Sequence, residues 1–216
     1  MPILPSLTLD LFPNPAFERT ESYGAARSAV LGAPALAQAE AELTAWPGYQ
    51  PTPLRGLPAL AGAIGVASVH YKDEGSRFGL GSFKALGGAY AVARLLCREI
   101  GRKLGRALRP ADLLSDALRA ECAALTVSCA TDGNHGRSVA WGARMFGCAC
   151  VIYIHATVSE GRQRAIEQYG ATVVRTAGNY DDAVRQADAD ARTHGRFVIS
   201  DTSYPGYMDV PRDVMQ

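Results

Sequence analysis

Neither sign of charge is in excess. Twenty-two Lys and Arg stand against 21 Asp and Glu, a net charge of +1, so no global electrostatic case exists for binding nucleic acid and there is no acidic tail. Cysteine is sparse and odd in number, and no pair has the C-x-x-C spacing. Cys97, Cys122, Cys129, Cys148 and Cys150 sit in apolar or strand-like contexts, so they read as reduced, buried thiols of a cytosolic protein. The four histidines, His70, His135, His155 and His194, are scattered, which leaves no ligand cluster and no expected metal site. Long hydrophobic runs are missing too: the longest uncharged stretch, residues 56–71, is too short to span a membrane and contains Pro58 and several glycines. The opening MPILPSLTLDLFPNPAF has no basic segment and is interrupted by prolines, so no ordinary signal peptide is expected.

What is present is ample core material. At 48 % hydrophobic composition, 216 residues suffice for one large domain or two small ones. Residues 1 to about 50 are rich in proline and alanine, with a helical patch from Ala25 to Leu43, and read as an arm lying on a larger body. From Val66 onward short β-rich runs alternate with longer helical ones. Strands are expected at Val69 to Lys72, Leu125 to Cys129, Cys150 to Ile154, Thr172 to Arg175 and Phe197 to Ser200. Between them lie helices from Ser82 to Gly101, His135 to Phe146, Glu160 to Tyr169 and Asp181 to His194. Strands separated by helices argue for an α/β fold with a largely parallel sheet. Arg98 to Ala120 reads as a basic, solvated helical stretch and its connection, and a last helical segment begins near Tyr207.

Within RFGLGSFKALGGAYAV, residues 77–92, Lys84 falls in the first turn of a helix capped by Ser82. Unpaired amides and the positive end of the helix dipole make that a poor place for an ammonium. Exposure to water would explain it. The sharper reading is an amine whose neutral form is favoured and which serves as a nucleophile toward carbonyls. Phe83 and the glycines Gly79, Gly81, Gly87 and Gly88 suit close approach of something flat to the backbone.

Two further stretches leave strand ends. In TVSCATDGNHGR, residues 126–137, an apolar strand enters a polar loop and then a helix, the place where open α/β sheets bind ligands. Amides at such a helix start receive carboxylate or phosphate oxygens, with Asn134 and His135 adding side-chain groups, although a plain capped turn would use the same residues. Asp132 beside that turn would repel an anion unless it does proton chemistry or pairs with a cation. SDTSYPGY, residues 200–207, presents Asp201 after another strand. If the two strands are parallel neighbours, both acids approach one edge of the sheet.

Taken together, KDEGSRFGLGSFKALGGAYAV, ATDGNHGRSVAWGAR, VIYIHATVSEGRQRAIEQYGATVV, NYDDAV and SDTSYPGYMDVP resemble the pyridoxal-phosphate enzymes of the tryptophan-synthase-β type, fold type II, and within them the diaminopropionate ammonia-lyases. The resemblance runs from about residue 45 to 216 and implies that this sequence corresponds to the N-terminal half of a longer family chain. It implies an arm and part of a large cofactor domain over residues 1–109, a small α/β domain over 110–205, and a return segment from 206. By position it implies pyridoxal 5'-phosphate as cofactor, Lys84 as the Schiff-base lysine, Phe83 packing near the cofactor ring and Asn134 bonded to its 3′-oxygen. Thr131, Asp132, Gly133 and His135 would lie in the loop receiving the substrate carboxylate. Lys84, Asp132 and Asp201 would be the proton-transferring groups, and the phosphate-binding loop would lie beyond residue 216. The implied activity is α,β-elimination of 2,3-diaminopropionate to pyruvate and ammonia by a cytoplasmic homodimer, with a small amino acid as substrate and no nucleic acid or membrane partner. A serine or threonine dehydratase, which would show SSGNH-like residues in place of TDGNHG, and a non-catalytic remnant are the alternatives.

Overall fold

The computed structural model describes residues 12–18, 20–131 and 133–216. The start of the proline-rich arm and Asp132 lie outside the described residues. The helical patch of the arm is two helices, α1 (Ala25–Ser28) and α2 (Ala33–Thr44), broken at Gly32 ahead of Pro34. Next come β1 (Leu54–Gly56), α3 (Pro58–Ile64) and β2 (His70–Lys72). β2 pairs antiparallel with β1 in a two-stranded sheet of its own, so the strand expected here is not part of the parallel sheet. β1 itself was not foreseen, because three residues beside a proline carry no alternation to read.

α4 (Lys84–Leu104) is the longest helix. It continues through Gly101, contrary to the expectation from sequence, and stops at Gly105, which holds the left-handed conformation that ends helices. Gly101 stays inside because its bare Cα faces the Arg106 carbonyl, where a methyl group would sit 2.7 Å from the oxygen. Arg98, Arg102 and Lys103 therefore belong to α4 and are not a separate basic helix. After 3-10 turns at Pro110–Leu114 and Asp116–Leu118 follow α5 (Arg119–Ala123), β3 (Thr126–Ala130), α6 (Asn134–Phe146) and β4 (Ala149–Ile154). α7 (Glu160–Glu167), β5 (Thr172–Arg175), α8 (Tyr180–His194), β6 (Phe197–Val198) and α9 (Asp209–Met215) complete the described chain.

The four strands β5-β4-β3-β6 form a wholly parallel sheet. Its side-chain period of two sorts the buried residues between the faces. Val127, Cys129, Cys150, Ile152 and Ile154 join the core with α4 and α6, while Val151 and Tyr153 meet Ala183 and Ala187 of α8. All five cysteines are free and buried, as expected of reduced thiols. No helix among the described residues is long and apolar enough to cross a membrane.

The seam between α4 and α6 positions the site. A Cβ on Gly88 would lie 2.5 Å from Ser138 Oγ, and one on Gly142 would lie 2.8 Å from Ala89 Cα. The two helices thus touch almost backbone to backbone, and Ser138 Oγ accepts from the Ala89 amide at 3.1 Å. Gly87 is likewise filled from outside by the Val214 carbonyl of α9. Gly87 and Gly88 therefore serve helix packing, while Gly79 and Gly81, with φ of 71° and 69°, shape the turn before α4.

Candidate active site

Lys84 arrives at its place on a tightly braced segment. Asp73 Oδ1 accepts from the Gly75 amide and starts the turn. Arg77, 6 % exposed, donates to Glu74, to the Gln50 carbonyl and to Thr52 Oγ1. Phe78 adopts φ 48°, rare outside glycine, and its ring lies 4.8 Å from that of Trp141 in a cluster with Trp46 and Tyr49. From the opposite side Arg137 of α6 donates to the Leu80 carbonyl at 2.8 Å. Ser82 Oγ accepts from the Lys84 amide at 3.1 Å, but the N-cap position falls one residue later than expected, on Phe83, whose side chain makes no cap bond.

The electrostatic anomaly of a lysine at a helix start has a counter-ion. Lys84 Nζ donates to Asp201 Oδ2 at 2.6 Å across 117 residues of sequence. β6 lies beside β3 and parallel to it, which brings the loop of Asp201 to the sheet edge where Thr131 and Asn134 lie; Asp132, the other acid expected there, lies outside the described residues. Asp201 is held from behind: the Tyr207 hydroxyl accepts from the Ser200 amide at 2.9 Å and donates to the Val198 carbonyl at 2.8 Å, while its ring stacks on Tyr204. Burial raises the Asp201 carboxyl, but the charges of His135 and Lys84 and the bond from Lys84 outweigh it and hold the group below the usual carboxylate range.

Ala130, Thr131, Gly133, Asn134, His135, Tyr180, Lys84 and Asp201 enclose a cavity of about 230 Å³. A second cleft of about 550 Å³ meets it at Lys84 and Asp201, lined by Phe83, Leu86, Tyr90 and α9 residues. Phe83 is thus exposed on the larger cleft, with Lys84 Nζ 5.7 Å from its ring centre, and is not among the walls around Asn134. Asn134 is exposed at the first position of α6.

Two expected carboxylate-loop residues have other partners. Thr131 Oγ1 already accepts from the amides of Gly133, the N-cap of α6, and of Gly136 in its first turn. The His135 ring turns inward, with Nε2 2.8 Å from the Ile199 carbonyl oxygen. Sequence reasoning gave no role to Tyr180, Tyr207 or Arg137; NYDDAV and DTSYPGY marked the tyrosines, but nothing local marks the arginine. No metal-binding cluster occurs among the described residues.

A family profile described as "Pyridoxal-phosphate dependent enzyme" matches residues 45–212. Diaminopropionate ammonia-lyase of Escherichia coli strain K12 is 43 % identical over 169 residues, covering 78 % of this chain and 41 % of that protein. A threonine dehydratase of Arabidopsis thaliana is 36 % identical over 98 residues, covering 45 % of this chain and 17 % of that one. Among solved structures, the apo form of the Escherichia coli diaminopropionate ammonia-lyase superposes with a TM-score of 0.76 at 40 % identity, over 84 % of this chain and 48 % of that one. The same enzyme with an aminoacrylate-PLP azomethine reaction intermediate gives 0.76 at 38 % identity, over 86 % and 45 %. The chain spans less than half the length of these relatives.

Proposed function

The chain belongs to the family of pyridoxal-phosphate dependent enzymes, and from that premise we propose that the whole protein eliminates ammonia from 2,3-diaminopropionate, giving with one water a molecule of pyruvate and two of ammonia. The observation that carries the proposal is the meeting of Lys84, Asp201 and the start of α6 around one cavity. The donor set fits the cofactor: an amine for its aldehyde carbon, the Asn134 amide for its ring oxygen, and an acid beside the amine. Bound pyridoxal phosphate supplies an electron-withdrawing ring that makes the substrate α-proton acidic.

The chain's own groups do the rest. Lys84 would hold the cofactor through its amine, and as a free amine it would be a base at the substrate α-carbon. Asp201, 2.6 Å from that amine, fixes its position and takes or returns its proton. Asp132 is retained as a second acid of the same reading. The carboxylate of the substrate falls to backbone amides at the start of α6, since Thr131 Oγ1 and His135 Nε2 are engaged elsewhere. A base on each face of the substrate would let both enantiomers react. The division at residues 109 and 205 and assembly as a homodimer belong to the same reading.

The test is incubation with pyridoxal phosphate, borohydride reduction and peptide mass mapping. A reduced pyridoxyl adduct on Lys84, absent in Lys84→Ala, supports the reading; modification spread over surface lysines refutes it. In a chain continued to the length of the relatives, keto-acid release should be faster from 2,3-diaminopropionate than from serine. The reverse order supports a dehydratase.

A further inference from the structure

His135 is 5 % exposed, yet among the described residues only one of its ring nitrogens has a hydrogen-bond partner. A carbonyl can only accept, so the contact of Nε2 with Ile199 places the ring hydrogen there and leaves a lone pair on Nδ1. Nδ1 is buried with no hydrogen-bond partner among the described residues. It lies 3.7 Å from Asp201 Oδ2, the oxygen that accepts from Lys84. Two acceptors facing each other in a protein interior are unfavourable unless a proton joins them.

We propose that His135 is a positioning residue acting on Lys84 through Asp201: Nδ1 receives the hydrogen bond of the proton that Asp201 takes from the lysine. In the transfer the Nζ–H bond breaks and an Oδ2–H bond forms. The net charge is unchanged and the new hydroxyl donates to Nδ1. Because Lys84 and His135 hold the Asp201 carboxyl below its usual range, the ionised pair prevails at rest and the neutral pair is a transient state that the bond to Nδ1 makes less costly. The amine left behind is the form that attacks a carbonyl carbon. That use rests on the function proposed for Lys84; the sharing of the proton does not.

Among the described residues, the titratable groups acting on the ring are Asp201, in the loop after β6, and Lys84, at the start of α4. The Cys129 thiol of β3 feels the charge of Asp201, and Tyr180 at the start of α8 lines the same cavity. Burial holds His135 below its ordinary value against the pull of Asp201. Burial also raises Cys129 far above its own, so the thiol stays neutral.

The test is nitrogen-15 NMR of the histidine rings in the 216-residue chain without cofactor, with His135 assigned by His135→Gln. The wild type should show the Nε2–H tautomer at neutral pH. The His135 midpoint should fall by about one pH unit in Asp201→Asn and rise by about as much in Lys84→Met, each a tenfold change in proton affinity. The charges of Asp201 and Lys84 reach the ring whether or not a proton is shared, so the deciding readout is the lysine. The relay predicts that the Lys84 Nζ midpoint, followed by NMR and assigned by Lys84→Met, rises in His135→Gln, and a midpoint unchanged in that variant overturns the proposal. A response to Asp201→Asn alone overturns it as well, because the relay needs all three groups. If a variant does not fold, an Nδ1–H tautomer in the wild type is itself decisive against it. Failure of pyridoxal phosphate to react with Lys84 would refute the proposed function without moving these midpoints.

Discussion

Removing one oxygen atom tests how Asp201 is held. In Tyr207→Phe the ring remains stacked on Tyr204, but the Ser200 amide and the Val198 carbonyl each lose a partner. Both residues are half-buried, so water restores part of what is lost. At about 0.5 to 1.5 kcal/mol for each bond, the expected loss of stability is about 1 to 3 kcal/mol. With a urea slope of about 2 kcal/mol per molar, the unfolding midpoint should fall by roughly 0.5 to 1.5 M. The control is Tyr204→Phe, whose hydroxyl sits on a half-exposed ring and whose loss should cost less than about 0.5 kcal/mol. Beyond stability, a released turn lets the Asp201 carboxylate leave Lys84. The rate of adduct formation between Lys84 and pyridoxal phosphate should then change in Tyr207→Phe and not in Tyr204→Phe. If both variants unfold at the same urea concentration and react at the same rate, the reasoning that Tyr207 sets the place of Asp201 is wrong.

Gly142→Ala should destabilise by about 1 to 3 kcal/mol through overpacking against Ala89, less the better helix propensity of alanine. Gly161→Ala, where a Cβ meets nothing within 4 Å, should gain up to about 1 kcal/mol in the same urea assay. Arg137→Ala should cost about 1 to 2 kcal/mol and speed hydrogen exchange of residues 79–84, because it frees the Leu80 carbonyl. Stability should also depend on pH in two windows. Burial, working against Asp201, depresses His135, so below its unfolded value of about 6.5 the unfolded chain binds the proton first and stability falls. Asp201 is depressed by His135 and Lys84 despite burial, so its contribution is present above the unfolded value of about 3.9 and is lost as pH falls through the lower folded one. His135→Gln should flatten the first window and Asp201→Asn the second; stability curves unchanged in shape would refute both assignments.

Much of this was legible in the sequence because the relevant signals are local. The apolar runs TVSCA, ACVIYI and TVVR carry the β-branched residues and spacing of buried strands, and the parallel sheet follows from the helices between them. Lys84 announced itself by having the wrong charge for its position. What could not be read was pairing at a distance. No local pattern says that the carboxylate at 201 meets the amine at 84, or that Arg137 reaches back to Leu80. The glycines misled for a related reason. A missing side chain records that something comes close, but Gly87 and Gly88 meet α9 and α6, whereas a flat ligand would have left the same residues in the sequence. His135 was assigned to the substrate loop by its place in the family resemblance; the structure shows one thing that no local pattern announces, its Nε2 2.8 Å from the Ile199 carbonyl oxygen while the residue lines the cavity.

The glycine seam between α4 and α6 has a mechanical consequence. Where side chains separate two helices, a drift in core volume can be absorbed by a change in their spacing. Here Gly142 meets Ala89 and Gly88 meets the short Ser138 side chain, so only small groups lie at these contacts between the helix that carries the amine and the helix that carries Asn134. The distance between those two walls behaves as a hard stop. Any opening or closing of the cavity must come from parts outside that contact, foremost the turn of residues 200–207 that delivers the acid.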